Sequence, residues 1–188
     1  MNKNIFLFMV LSPIIVWGQM NPISFTEYDL DNGLHVILHE DHSTPIVAVS
    51  VSYHVGSKNE DPNRTGFAHF FEHLLFEGSE NIGRGEYMKM VQENGGVLNA
   101  NTSFDRTFYY EILPSNQLEL ALWMESERML HAKIDQIGVD TQREVVKEEL
   151  RERNENTPYG YVIMFYDAYK QGFAYYANDI IPYNILNA

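Results

Sequence analysis

Gly66-Phe67-Ala68-His69-Phe70-Phe71-Glu72-His73-Leu74-Leu75-Phe76-Glu77-Gly78 is the stretch on which the chain turns. It reads as a helix from Gly66 to Glu77, stopped by Gly78. Successive helical residues rotate by about 100°. With His69 at zero, Glu72 falls near −60° and His73 near +40°, so the three share about a 100° arc. Two imidazoles one turn apart can grip one zinc ion. A carboxylate beside them can take the proton from a water on that ion. This predicts a zinc-dependent hydrolase with Glu72 as general base. The competing reading is a surface helix with incidental residues. Phe70, Phe71, Leu74 and Leu75 are core candidates on the remaining faces.

Outward from this helix, strand and turn signals dominate. Phe25–Asp31 and Leu34–His39 flank Asn32-Gly33, a dipeptide that tolerates positive φ, which predicts a hairpin. Ile46–Val55 alternates, with Val47, Val49, Val51 and Tyr53 on one side, as a half-buried strand does. After the motif come a glycine-spaced loop from Gly78 to Gly85 and a helix from Glu86 to Glu93. Gly95-Gly96 ends it, as a plain helix stop or as a place where a substrate backbone approaches closely. Strands follow at Val97–Ala100 and Thr107–Leu113, then a long helix opened by Pro114-Ser115. A charged helix runs from Val139 to about Arg153. Hairpins among alternating helices exclude a purely parallel sheet. The fold class is α+β, a mixed, largely antiparallel sheet with helices packed on one face.

The 188 residues suffice for one domain, and 45% hydrophobic content predicts a folded one. A formal net charge of −13 argues against nucleic-acid binding, which needs a basic face. The absence of cysteine excludes disulfides, thiol catalysis and cysteine-ligated metals. Lys3, the apolar run Ile5–Leu11, Ile14–Trp17 and the small residue Gly18 make residues 1–19 a secretory signal peptide. An uncleaved anchor is the other reading. Residues 20–188 form the mature domain, placed outside the cytoplasm, in the periplasm or secreted. No membrane span remains after signal cleavage. Residues 161–188 are dense in aromatics and show no clear terminal element.

Two histidines hold zinc poorly alone; a catalytic site has three protein ligands and an open position. Glu149 follows Val145 and Val146 by one turn, which puts it on the apolar, inward face of the charged helix. Glu144 and Glu148 pair with Lys147 and Arg151 and stay solvated. An inward carboxylate requires a partner, either an arginine or a metal ion, and the pattern alone leaves both open. Glu77 reads as a solvated charge at a helix end. His35, His39, His42, His54 and His131 read as structural or solvated rather than as ligands.

His-x-x-Glu-His is the inverzincin order. Its surroundings resemble the pitrilysin / insulin-degrading enzyme / mitochondrial processing peptidase family. The resemblance is carried by Tyr53-His54-Val55-Gly56-Ser57 with Glu60, by Leu74–Ser79, by Gly95–Ala100, by Asp105–Tyr110, by Gln142–Glu149 and by Pro158-Tyr159-Gly160. It runs from about Phe25 to Gly160. It implies one zinc ion held by His69, His73 and Glu149, since the family's third ligand is a glutamate about 76 residues beyond the second histidine. It implies Glu72 as catalytic base, and an edge strand at Asn99 and Ala100 that binds an extended peptide substrate by β-strand addition. It further implies a homologous C-terminal domain or partner subunit that closes around the peptide, with residues 20–188 as a zinc metallopeptidase N-terminal domain incomplete at its C-terminus. Gln142 departs from the glutamate common in the family, which keeps hydrogen-bonding support but loses a charge. The alternative function is a non-catalytic or truncated partner or scaffold subunit of such a complex.

Overall fold

A computed structural model describes residues 22–61 and 65–155, with side chains through Glu152. The signal-peptide reading of residues 1–19 lies outside the described residues. So do Pro158-Tyr159-Gly160 and the aromatic segment 161–188. The chain divides into two compact units, one up to Thr44 and one from Pro45 onward.

The first unit is the expected hairpin. Strand β1 (Thr26–Asp29) pairs antiparallel with β2 (His35–Leu38). The connection closes through Gly33 N donating to the Leu30 carbonyl (2.8 Å) and Leu34 N donating to Asn32 Oδ1 (3.1 Å). The Asn-Gly signal therefore marks the turn, but the loop spans Leu30–Leu34, longer than two residues.

The second unit carries a three-stranded antiparallel sheet in the order β3 (Ile46–Tyr53), β5 (Thr107–Pro114), β4 (Val97–Thr102). Helices α1 (Phe67–Leu74), α2 (Glu86–Glu93), α3 (Leu118–Leu130) and α4 (Gln136–Glu155) complete it. Period-two alternation sorts the central strand. Thr107, Tyr109, Glu111 and Leu113 of β5 are buried toward the helices, whereas Phe108, Tyr110 and Ile112 are more open. Register carries that face across the sheet, pairing Val49 with Glu111, Leu98 with Glu111 and Thr102 with Thr107. One core joins Leu98 and Leu113 of the sheet to Tyr87 and Val91 of α2 and to Ala121 and Met124 of α3. A second, smaller core locks α1 to α4 through Phe70, Leu74 and Val146. Each such side chain contributes about 1.5–3 kcal/mol when fully buried.

Local chemistry sets the ends of α1. The Glu60 carboxylate accepts from the amides of Gly66 and Ala68, both at 2.6 Å, and so caps the helix from outside. The α-helix stops at Leu74, three residues short of the expected end. Phe76 N and Glu77 N then bond back three residues, to the carbonyls of His73 and Leu74. Gly78 follows at φ 139°, where a Cβ would lie 2.6 Å from the Ile82 carbonyl oxygen. At Gly96, a Cβ would meet the Ile112 carbonyl at 2.6 Å. The close approach there is to the neighbouring strand of the same chain, so Gly96 serves packing.

Three expectations need correction. Phe71, read as a core residue, is 43% exposed. Val145 is 45% exposed while Val146 is fully buried, so the inward stripe of α4 is Val139, Val146 and Leu150, and Val145 lies off it. Glu77 is only 6% exposed and makes an ion pair with Arg84. It is an interior charge, because the tightened turn after α1 swings it inward.

Among the described residues, the largest fully buried side chain is Arg128 of α3. Its guanidinium carbon lies 4.4–4.7 Å from the ring centres of Phe76, Tyr87 and Tyr109. Nε donates to Glu125 (3.1 Å), Nη1 donates to the Leu75 carbonyl (3.1 Å), and Nη2 stands 3.6 Å from Glu111. Burial, with the adjacent Glu125 next in effect, pushes the Glu111 carboxyl up to about 9 despite Arg128.

Candidate metal centre

Helix α1 presents His69 and His73 toward α4, and the α1–α4 core brings Glu149 up to them. His69 Nε2 and His73 Nε2 lie 3.3 Å apart. Glu149 Oε2 is 3.7 Å from the first and 3.3 Å from the second. Among the described residues, these three are the only group of three or more His, Asp or Glu side chains that converge closely enough to hold one metal ion. The donor set fits zinc. Ligand atoms about 2.0–2.2 Å from a tetrahedral ion sit roughly 3.3–3.6 Å from one another, close to the separations found. Glu149 keeps 42% of its side chain exposed, against about 20% for each imidazole, so the cluster opens to one side.

Glu72 lies on the same helix, 8% exposed. Its Oε2 accepts a hydrogen bond from Thr102 Oγ1 at the end of β4 (2.6 Å), and its backbone carbonyl accepts a longer one from Tyr109 OH (3.4 Å). Burial raises the Glu72 carboxyl above its ordinary range, with Thr102 and His73 pulling the other way. For His73, burial alone favours the neutral ring, but Glu149, Glu72 and Gln142 together outweigh it, and the net shift is upward. The pocket thus holds a surplus of negative charge around a pair of imidazoles, which suits a cation. Gln142 accepts from His73 Nδ1 (3.2 Å).

Asn99 and Ala100 lie on β4, whose outer edge has no partner strand among the described residues. The Ala100 amide donates to Asn99 Oδ1 (2.8 Å). Glu72 also borders a cavity of about 600 Å³ lined by Tyr53, Val55, Phe67, Phe71, Leu75 and Tyr109 among others.

Residues 35–171 match the sequence profile described as Insulinase (Peptidase family M16). The chain belongs to the insulinase peptidase family. A zinc protease PqqE from Helicobacter pylori is 33% identical to this insulinase-family chain over 159 residues, covering 84% of it and 35% of the relative. A crystal structure of a protease from Helicobacter pylori superposes with a TM-score of 0.69 at 37% identity, covering 73% of this chain and 33% of that one. The periplasmic protease PqqL from Escherichia coli superposes at 0.66 and 29% identity, covering 72% and 16%. The chain therefore spans about a third or less of the length of these relatives. The α+β expectation and the family resemblance both stand, and the family is one of metallopeptidases.

The structure brings His69, His73, Glu149, Glu72 and Gln142 together, and sets Asn99 and Ala100 on the nearby edge strand. Sequence reasoning missed two residues of this candidate site. Thr102 was legible in principle: it shares a strand face with Ala100, two residues away. Glu77 was not, because the partners that draw it inward are Arg84 in a loop and Gln142 on α4. Among the described residues, no helix is long and apolar enough to cross a membrane.

Proposed function

We propose that this chain is the zinc-bearing part of an endopeptidase that cuts extended or unfolded peptides. The observation that carries the reading is the meeting of His69, His73 and Glu149 within 4.8 Å, with Glu72 on the same helix. One zinc ion, when bound, supplies a Lewis acid for the scissile carbonyl and lowers the pKa of water toward ~7. His69, His73 and Glu149 hold that ion. Glu72 Oε1 takes the proton of the attacking water and returns it to the departing amine nitrogen. Thr102 Oγ1 occupies Oε2 and fixes the carboxylate's orientation. The free edge of β4 at Asn99 and Ala100 aligns the peptide as an added strand, displacing the Asn99 side chain from the Ala100 amide. Gln142 orients His73.

The relatives' greater length supports a working enzyme that includes a homologous C-terminal domain or partner subunit. The pattern of residues 1–19, together with a periplasmic relative, supports export from the cytoplasm. The intact His-x-x-Glu-His and its third carboxylate favour catalysis over a scaffold role.

Elemental analysis of the purified 188-residue chain should find one zinc per molecule, lost in His69→Ala. Glu72→Gln should keep zinc and abolish cleavage in the assembled enzyme. The isolated chain should bind zinc yet cleave peptides weakly or not at all, with turnover restored by a homologous partner domain. A metal-free wild type, or an active Glu72→Gln assembly, would refute the reading.

A further inference from the structure

We infer that Glu77 is a positioning residue of the metal centre, acting through Gln142 to decide which nitrogen of His73 faces Glu149 and His69. The inference rests on the reading of His73 as a zinc ligand.

The argument follows one line of hydrogen bonds. Glu77 Oε2 pairs with Arg84 Nε, and Glu77 Oε1 accepts from Gln142 Nε2 (2.5 Å). Gln142 Oε1 in turn lies 3.2 Å from His73 Nδ1. Arg84 is held from behind by Asp135 (2.6 Å), whose Oδ1 also accepts from Gly138 N (2.8 Å) at the start of α4. Gly138 is where this network is tightest: a Cβ there would stand 3.2 Å from the Glu77 side chain and 3.4 Å from Arg84 Nη2.

A glutamine side chain has two ends of nearly equal shape and opposite hydrogen-bonding sense: the oxygen accepts and the NH2 donates. Nothing in a lone Gln142–His73 contact selects one end. A carboxylate held in an ion pair with arginine offers only acceptor oxygens. Glu77 therefore turns the NH2 of Gln142 toward itself, which leaves the oxygen for His73. An oxygen can only accept, so Gln142 holds the ring proton of His73 on Nδ1, against the pull of the Glu149 carboxylate at Nε2 in the metal-free protein. In a neutral imidazole the other nitrogen, Nε2, then has the free lone pair. Nε2 is the atom that stands 3.3 Å from both Glu149 Oε2 and His69 Nε2. With the amide reversed, its NH2 would donate to Nδ1, the proton would move to Nε2, and the ring would face its neighbours with N–H instead of a lone pair.

The same geometry accounts for the burial of Glu77. An ion pair with Arg84 alone could stand in solvent, yet Glu77 is 6% exposed and packed against Gly138. Its second oxygen is committed to Gln142. The negative charge absent from position 142 is thus supplied from position 77, one amide further from the imidazole. Outer partners of this kind are worth about 10–100-fold in metal affinity.

The test uses the full chain. Long-range nitrogen-15 NMR at alkaline pH is read in metal-free Glu149→Ala, which removes the competing acceptor at Nε2, and should show His73 as the Nδ1–H tautomer. Glu77→Gln keeps the side chain's shape but can face Gln142 as donor or acceptor. Added to Glu149→Ala it should give a mixture of tautomers, and alone it should weaken zinc binding about 10-fold in a chelator competition. Adding Gln142→Glu to Glu77→Gln places a carboxylate directly on Nδ1 and should restore both the tautomer and the affinity, which a mere packing role for Glu77 would not allow. An Nε2–H ring in metal-free Glu149→Ala overturns the inference. So does a folded Glu77→Gln with unchanged tautomer and affinity, or a Gln142→Glu rescue that fails. A wild type with no affinity for zinc, the tautomer being as expected, would instead sink the zinc reading of the site.

Discussion

Thr102 Oγ1 donates to Glu72 Oε2 across 2.6 Å, joining the last residue of an edge strand to the proposed catalytic base. The hydroxyl commits one oxygen of the carboxylate to which the proposed proton transfer is assigned. Thr102→Val keeps the shape and removes the bond. Hydrogen bonds to charged groups are worth about 1.5–3 kcal/mol. Peptide cleavage by the assembled enzyme should therefore fall about 10-fold or more, with zinc affinity unchanged. Unaltered kcat/KM would show that the base needs no such restraint.

Zinc should stabilise the fold, because the proposed ligands come from two helices, α1 and α4, which one ion would tie together beyond the Phe70–Leu74–Val146 core and the hydrogen bonds of Gln142. An ion at 100 times its Kd adds about 2.7 kcal/mol. For a chain of this size that corresponds to a rise of roughly 5–11 °C in Tm. Calorimetry with and without chelator measures it. In Glu149→Ala the zinc-dependent rise should disappear; its persistence would remove α4 from the site.

Glu111 makes stability fall with pH. Its carboxyl is pushed up to about 9 in the folded protein, whereas the unfolded chain has an ordinary glutamate near 4.3. Between those values the folded state keeps a proton that the unfolded state releases. The stabilisation is complete below the lower value and is lost as pH rises through the upper one. A single proton contributes a slope of up to about 1.4 kcal/mol per pH unit. Urea midpoints for the wild type should decline across this window, and Glu111→Gln should flatten the decline. Parallel curves for the two proteins would mean that Glu111 holds no proton.

Gly78→Ala should destabilise by about 1–3 kcal/mol or more, the scale of a strained backbone position. The residue sits at φ 139°, and its new Cβ would press on the Ile82 carbonyl. The same substitution should disturb Glu77 one residue before it. Denaturant midpoints test the first effect, and a tolerated alanine would mean that the turn relaxes freely.

Much of the architecture was legible because it is local. The Glu86–Glu93 helix, the alternation of Ile46–Tyr53 and the Asn32-Gly33 turn each follow from neighbours within a few residues. His69, Glu72 and His73 are legible for the same reason, since one helical turn sets their geometry. Glu149 needed the family's spacing as well: its inward stripe runs 139–146–150, and Val145 beside it faces solvent. Glu77 was misread because a charge at a helix end is usually solvated. What buries it is a tightened turn, Arg84 in the following loop and Gln142 far along the chain, none of which leaves a periodic trace. Glu111 sat in plain view between Tyr109 and Leu113 on the inward face of β5, but its partner Arg128 belongs to another element.

Arg128 touches the end of α1 through Leu75 and Phe76, the central strand through Tyr109 and Glu111, and α2 through Tyr87. One side chain thereby fastens α1 to the elements whose opening is the opening of the whole unit. At that end α1 frays only as these contacts break. Its amides from Phe70 to Leu75 should exchange with deuterium as slowly as those of β5, so the site is lost only when the core itself gives way.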